Sequence, residues 1–246
     1  MRHLLAKTRR PLLAALARQR VLLAFDYDGT LAALVESPAR SAMRPRTARL
    51  LQQVARRYPV AIISGRAAED VRARLGGAVV RAVIGNHGAE LGAHPQQTLA
   101  RIARWREVLA AALADEPGVV IEDKRYSLAV HYRRSSRRAH ARARIVAHAR
   151  GLEAMRVVEG KAVVNLVPRD APDKGGAIAW ALAQLQCDAV IYVGDDITDE
   201  DAFRYDGGVP LLGVRVGADP TSAARWFLRS QRAIDRLLRL LLVCRT

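Results

Sequence analysis

Cysteine occurs only twice in the 246 residues, at Cys187 and Cys244. That excludes a disulfide framework and the clustered ligand spacing of a structural zinc site, and a reducing compartment is the simplest setting. Aromatic residues make up 5%, and lysine is confined to Lys7, Lys124, Lys161 and Lys174. Long apolar runs are missing as well. The stretch from Pro11 to Ala17 is stopped by Arg18 and Arg20, far short of the ~20 residues that span a bilayer. No small-residue cleavage site follows it. The first twenty residues therefore read as an amphipathic lead-in helix, and the expectation is a cytoplasmic protein with no membrane segment.

Half of the residues are hydrophobic and 26% are charged, which is enough apolar material for a substantial core and excludes intrinsic disorder. The formal net charge of +16 raises nucleic acid as a partner. Nearly all of that charge is arginine, spread along every segment and without interleaved aromatics. The expected reading is a solvated basic surface with no nucleic-acid partner.

Periodicity predicts alternating strands and helices at both ends of the chain. Val21–Phe25, Val60–Ile63 and Val79–Ile84 are short apolar runs of the kind buried on both faces, separated by helical spacing over Thr47–Tyr58 and Ala68–Leu75. This βαβαβ start implies a parallel sheet with right-handed crossovers. The middle changes character: a helix over Pro95–Asp115, strands Val119–Asp123 and Tyr126–Arg133, a helix over Ser135–Arg150, and a hairpin pairing Met155–Glu159 with Ala162–Val167. After Pro168 come a helix over Lys174–Gln186, strands Ala189–Val193 and Leu211–Val216, and closing helices through Leu242. The fold class is α/β, a parallel-sheet core formed by residues 1–90 and 169–246, with an inserted αββαββ unit over 91–168.

Four places carry chemistry. Asp26 and Asp28 follow the first strand, and in an extended chain residues two apart point the same way, so both carboxylates can face one cation or phosphoryl group. An acidic turn with Asp28 and Thr30 as helix caps accounts equally well for that spacing alone. Asp195, Asp196, Asp199, Glu200 and Asp201 crowd five acids into seven positions beyond a second strand. Such mutual repulsion calls for a compensating cation, most simply Mg²⁺. Glu200 and Asp201 need no more than the favourable field of a helix N-terminus. Ser64-Gly65-Arg66 ends another strand, and Lys174 opens a helix, each offering donors to an anion. Each of these last two is weak singly. Their order along the chain points to an anionic substrate handled with Mg²⁺.

These residues resemble the haloacid dehalogenase (HAD) superfamily of phosphatases. Within it, FDYDGTLA at 25–32, ISGR at 63–66, GNHGAEL at 85–91, EDKRYSLAVHYR at 122–133, the PRDAPDKG segment at 168–175 and VGDDITDED at 193–201 are similar to the trehalose-6-phosphate phosphatase family. The likeness runs from about Leu22 to Phe203. It implies a Rossmann-like HAD core with an inserted cap, and Mg²⁺-dependent hydrolysis of trehalose 6-phosphate. In that reading Asp26 is the nucleophile and forms an aspartyl-phosphate. Asp28 is the acid and base, and Ser64 and Lys174 bind the transferring oxygens. Asp26, the Asp28 carbonyl and Asp195 hold Mg²⁺, while Thr30, Asp196 and Asp199 support them, Asp196 and Asp199 by orienting Lys174 and the ion's waters.

For substrate binding, the resemblance points to Gly65, Arg66, Glu122, Lys124 and Asn165, and to His87, which with Glu90 lies at the passage into the insertion, where hinge packing accounts for both equally well. A charged hairpin turn accounts for Glu122 and Lys124 without any ligand. At position 165 the family usually has glutamate, so this chain departs from the pattern there. Glycine- and proline-bearing passages near Gly88–Gly92 and Pro168–Pro172 are the expected hinges. The implied partner is a small sugar phosphate, and nothing requires more than a monomer. Two alternatives stay open: the same chemistry on another sugar phosphate, and a basic nucleic-acid binder on an inactive scaffold.

Overall fold

The structure is a computed structural model and describes residues 1–35 and 38–245. Its main body is a seven-stranded sheet in which every neighbouring pair is parallel. The strands are β1 (Arg2–His3), β2 (Val21–Phe25), β3 (Val60–Ile63), β4 (Ala82–Ile84), β9 (Ala189–Gly194), β10 (Leu211–Val216) and β11 (Trp226–Leu228), in the order β1-β11-β10-β9-β2-β3-β4. Strand order departs from β2 in both directions, through β3 on one side and β9 on the other. Such a switch point leaves a crevice beyond the carboxyl ends of the strands.

The alternation of β2 explains why it reads as an unbroken apolar run. Val21, Leu23 and Phe25 enter one core with Leu51 and Val54 of α2 (Pro45–Ala55) and Leu237, Leu238 and Leu241 of α8 (Ile234–Cys244). Leu22 and Ala24 enter the other, against Ile178 and Ala181 of α6 (Lys174–Leu185). Burial of each such aliphatic side chain contributes about 1.5–3 kcal/mol. The lead-in helix α1 (Arg10–Ala17) packs Leu13 and Leu16 onto the first of these cores. Among the described residues, no helix is long and apolar enough to cross a membrane.

Residues 95–168 build a second layer with its own core. Helix α4 (Pro95–Ala112) places Ile102, Trp105 and Leu109 one turn apart, and α5 (Arg138–Arg150) does the same with Ala141, Ile145 and Ala149. Both cover one face of an antiparallel sheet of β5 (Val120–Asp123), β6 (Leu128–His131), β7 (Met155–Gly160) and β8 (Val163–Pro168), in the order β5-β6-β8-β7. This αββαββ order is the one read from the sequence, with ends that differ by a few residues; in the main sheet the predicted strand over Val79–Ile84 contracts to β4. The expected run of closing helices is corrected. It contains strand β11, which pairs in parallel with both β10 and β1. Strand β1 itself has two residues and no apolar pattern, and its register comes wholly from its neighbour.

Candidate active site

Strand register brings the separated acids together. Phe25 of β2 lies opposite Val193 of β9 and Ile62 of β3, and the Asp26 amide extends the ladder by donating to the Val193 carbonyl at 2.8 Å. Asp26 and Asp195 are thus the first residues beyond two adjacent strands, and Ser64 is the first beyond the third. Gly29 turns the chain back under Asp195 with φ +82°, where any Cβ would collide with that carboxylate. Thr30, fully buried, donates from Oγ1 to Asp195 Oδ1 at 3.3 Å.

Lys174 enters from the first turn of α6, whose N-terminus is capped by the Asp173 side chain accepting from the Gly176 amide. Its ammonium, 2% exposed, donates to Asp26 Oδ1 at 3.0 Å and Asp199 Oδ1 at 2.6 Å. Burial alone disfavours a charged lysine, but Asp199 and Asp26 outweigh it and hold Lys174 well above the usual range. The two acids respond in opposite directions. Burial pushes Asp26 well up and Asp199 and Asp195 add to the rise, against the lowering effect of Lys174. Burial would raise Asp199 too, but Lys174, the Tyr192 hydroxyl at 2.6 Å and the Asp195 and Asp196 amides bring it below the usual range. Asp195 is pushed up to about 7, by burial first and the Asp199 charge second.

Carboxylate oxygens of Asp26, Asp195 and Asp199 lie within 4.8 Å of one another. Both oxygens of Asp199 are already occupied, Oδ1 by Lys174 and Tyr192, Oδ2 by two backbone amides. Asp26 Oδ2 and Asp195 Oδ2 carry no protein hydrogen bond among the described residues. Oxygen donors facing one another in a buried, repulsive pair suit a hard divalent cation, so the donor set fits Mg²⁺. Asp196 takes no part in the cluster: its exposed side chain caps the short helix at Ile197.

The remaining predicted residues surround this centre. Ser64, almost wholly buried, accepts the Arg66 amide on Oγ at 3.2 Å. Arg66 grips Asp28, its Nη2 donating to Oδ1 at 2.9 Å and its Nε to Oδ2. His87 packs against Gly65 so closely that a Cβ there would meet the imidazole. It has φ +57°, and its buried Nδ1 has no hydrogen-bond partner among the described residues. Burial, and then Lys174, Lys124 and Arg156, hold its pKa far down, so the ring is neutral.

From the second layer, the Lys124 ammonium crosses to the Gly65 carbonyl at 3.1 Å, and the Lys124 carbonyl accepts from Asn86 Nδ2 at 3.2 Å. Glu122, by contrast, is half-exposed and bonded to His131 Nε2 at 2.7 Å. Asn165 is buried on β8 and donates to the Val158 carbonyl at 3.2 Å. Glu90 accepts from the Ala68 amide and from Asn86 Nδ2, which ties the passage between the layers. Tyr192 was missed by sequence reading because it sits in an apolar strand, where its hydroxyl gives no periodic signal. Ser41, which donates to Asp28 Oδ1 at 2.7 Å, lies outside any motif.

Residues 24–228 match the family model of the trehalose-phosphatases. The chain belongs to the trehalose-phosphatase family. It is 39% identical over 237 residues to the trehalose-phosphate phosphatases of Mycobacterium bovis and Mycobacterium tuberculosis, an overlap covering 87% of this chain and 60% of theirs. The chain therefore spans about three fifths of the length of these relatives. Its fold is similar to the C-terminal domain of Candida albicans trehalose-6-phosphate phosphatase, with TM-score 0.77, 23% identity and coverage of 95% and 96%. The Aspergillus fumigatus trehalose-6-phosphate phosphatase gives TM-score 0.68 at 26% identity, with coverage of 95% and 97%. For this family member, the matched span includes Asp26, Asp28, Ser64, Lys174 and Asp195 together.

Proposed function

We propose that the chain hydrolyses trehalose 6-phosphate to trehalose and phosphate. The observation that carries this reading is the buried Lys174 ammonium set against Asp26, with Asp195 alongside, at the carboxyl ends of adjacent strands. Lys174 fixes Asp26 through Oδ1, so that one carboxylate oxygen can serve the ion and the other attack phosphorus. As the Asp26–phosphorus bond forms, the bond to the sugar oxygen breaks, and Asp28 supplies the proton that oxygen takes up. Water then attacks the aspartyl-phosphate, Asp28 receives the proton lost by the water, and Asp26 departs as a carboxylate. Splitting one displacement into two easier ones is the advantage of a covalent route. Ser64 and Lys174 bind the transferring oxygens, where fixed charge is most useful.

Asp26, Asp195 and the Asp28 carbonyl would hold Mg²⁺, which supplies charge neutralisation on the phosphoryl group. A chelator is accordingly expected to abolish phosphate release. Mg²⁺ at ~100-fold over its dissociation constant should stabilise the fold by about 2.7 kcal/mol, read as a rise in melting temperature that Asp195→Asn loses. No rise in the wild type would contradict the ion site.

Residues 91–168 act as the cap, with Lys124 bridging to the core at Gly65 when closed. Lys124→Ala should raise KM about 10-fold while changing kcat little, and a normal KM would remove Lys124 from sugar binding. Mg²⁺-dependent phosphate release from trehalose 6-phosphate, compared with glucose 6-phosphate and sucrose 6-phosphate, tests the function. Preferential release from trehalose 6-phosphate supports it. A preference for another member of the panel favours the second reading, a different sugar phosphate. That reading draws on Asn165, whose amide lacks the charge-assisted acceptor strength of the family's glutamate and already bonds to Val158.

A further inference from the structure

The Asp28 carboxylate closes a ring of hydrogen bonds drawn from three separate segments. Arg66 holds both of its oxygens, and Arg66 Nη1 donates to Asp70 Oδ2 at 2.8 Å. Asp70 Oδ1 accepts from Arg74 Nε at 2.9 Å, and Arg74 Nη1 donates to the Ser41 carbonyl at 2.8 Å. The Ser41 hydroxyl then returns to Asp28 Oδ1 at 2.7 Å. Asp28 follows β2, Asp70 and Arg74 lie on and just beyond α3 (Ala68–Ala73), and Ser41, fully buried, precedes α2. Pairs of exposed charges seldom fix a geometry, because each side chain keeps its rotamer freedom. Here each side chain of the ring is constrained from two sides, and the Arg66 side chain is only 12% exposed.

Lone-pair accounting shows what the ring leaves available. Oδ1 accepts from both Ser41 and Arg66 Nη2, which fills its two lone pairs. Among the described residues, Oδ2 accepts only from Arg66 Nε, which leaves one lone pair open to them. We infer that Asp28 works through Oδ2, and that Ser41, Asp70 and Arg74 are positioning residues that aim this oxygen through Arg66. The inference rests on the phosphatase reading. In the second half-reaction the water oxygen bonds to phosphorus, its proton passes to Asp28 Oδ2, and the phosphorus bond to Asp26 breaks. Nothing else is consumed.

The test is p-nitrophenyl phosphate with Mg²⁺ in the first turnovers, applied to Ser41→Ala, Asp70→Asn and, as the limiting case, Asp28→Asn. Nitrophenolate is stable as an anion, so its departure needs no proton from Asp28, whereas hydrolysis of the aspartyl-phosphate does need Asp28 as base. The expected result for Ser41→Ala and Asp70→Asn is a stoichiometric first burst at the wild-type rate, followed by steady turnover slowed about 10-fold. A burst that shrinks in proportion to the steady rate means fewer folded active sites, and overturns the positioning role. Unchanged steady turnover in both variants overturns it as well. A wild type that releases no nitrophenol overturns the phosphatase reading itself, and this inference with it.

Discussion

Asp26→Asn is expected to lower phosphate release by on the order of 10⁴-fold or more, because an amide oxygen cannot form the acyl-phosphate and covalent catalysis is lost as a unit. The same change should leave the fold intact or slightly more stable. Asp26 is 5% exposed, repelled by Asp199 and Asp195, and driven by burial towards its neutral form. A neutral amide of the same shape relieves that repulsion, and Lys174 keeps Asp199. Loss of activity together with an unchanged or raised melting temperature is the signature of a site held at some cost to stability. Turnover close to the wild type in purified Asp26→Asn would remove Asp26 from the chemistry.

Lys174→Met should have the opposite signature on stability. Its ammonium is the cation bonded to both Asp26 and Asp199, and Asp199 is fully buried. Removing one partner of a buried ion pair leaves a desolvated charge behind and typically costs about 3–5 kcal/mol. Activity should fall along with stability, since the transferring oxygens lose a fixed positive charge. The double variant Lys174→Met with Asp199→Asn separates the two effects. It should recover much of the stability, because the ionised carboxylate that lost its cation is gone, yet none of the activity. A single Lys174→Met variant that melts at the wild-type temperature would contradict the ion-pair account.

What the sequence carried, and what it did not, divides along physical lines. Val21–Phe25, Val60–Ile63 and Ala189–Val193 announce themselves because strands buried on both faces must be continuously apolar. The acids at their ends stand out because polar groups at such places serve either turns or ligands. Asp26, Lys174 and Asp195 were legible for that reason, and the register Phe25 to Val193 supplied their meeting. Strands β1 and β11 were not, because a strand of two or three residues takes its conformation from the strands it pairs with and is too short to show a period of its own.

Partnerships of long sequence separation were equally silent. Nothing in Ser41, Asp70 or Arg74 marks them as joined to Asp28, and Glu200 looked like a residue suited merely to a helix N-terminus. In the structure Glu200 is buried, accepting from the Ala223 amide at 2.8 Å and facing Arg215. Asp199 lies beside Lys174, and its second task, accepting the Asp195 and Asp196 amides, follows only from the turn the chain makes after β9.

The central claim is that Asp26, and no other acid of the cluster, becomes phosphorylated. Quenching the enzyme during turnover of trehalose 6-phosphate with Mg²⁺, reducing the acyl-phosphate with borohydride and mapping the peptides tests it most directly. The account predicts homoserine at position 26 alone, absent when Mg²⁺ is withheld. Homoserine at position 28 or 195, or turnover with no reducible acyl-phosphate at all, would contradict it.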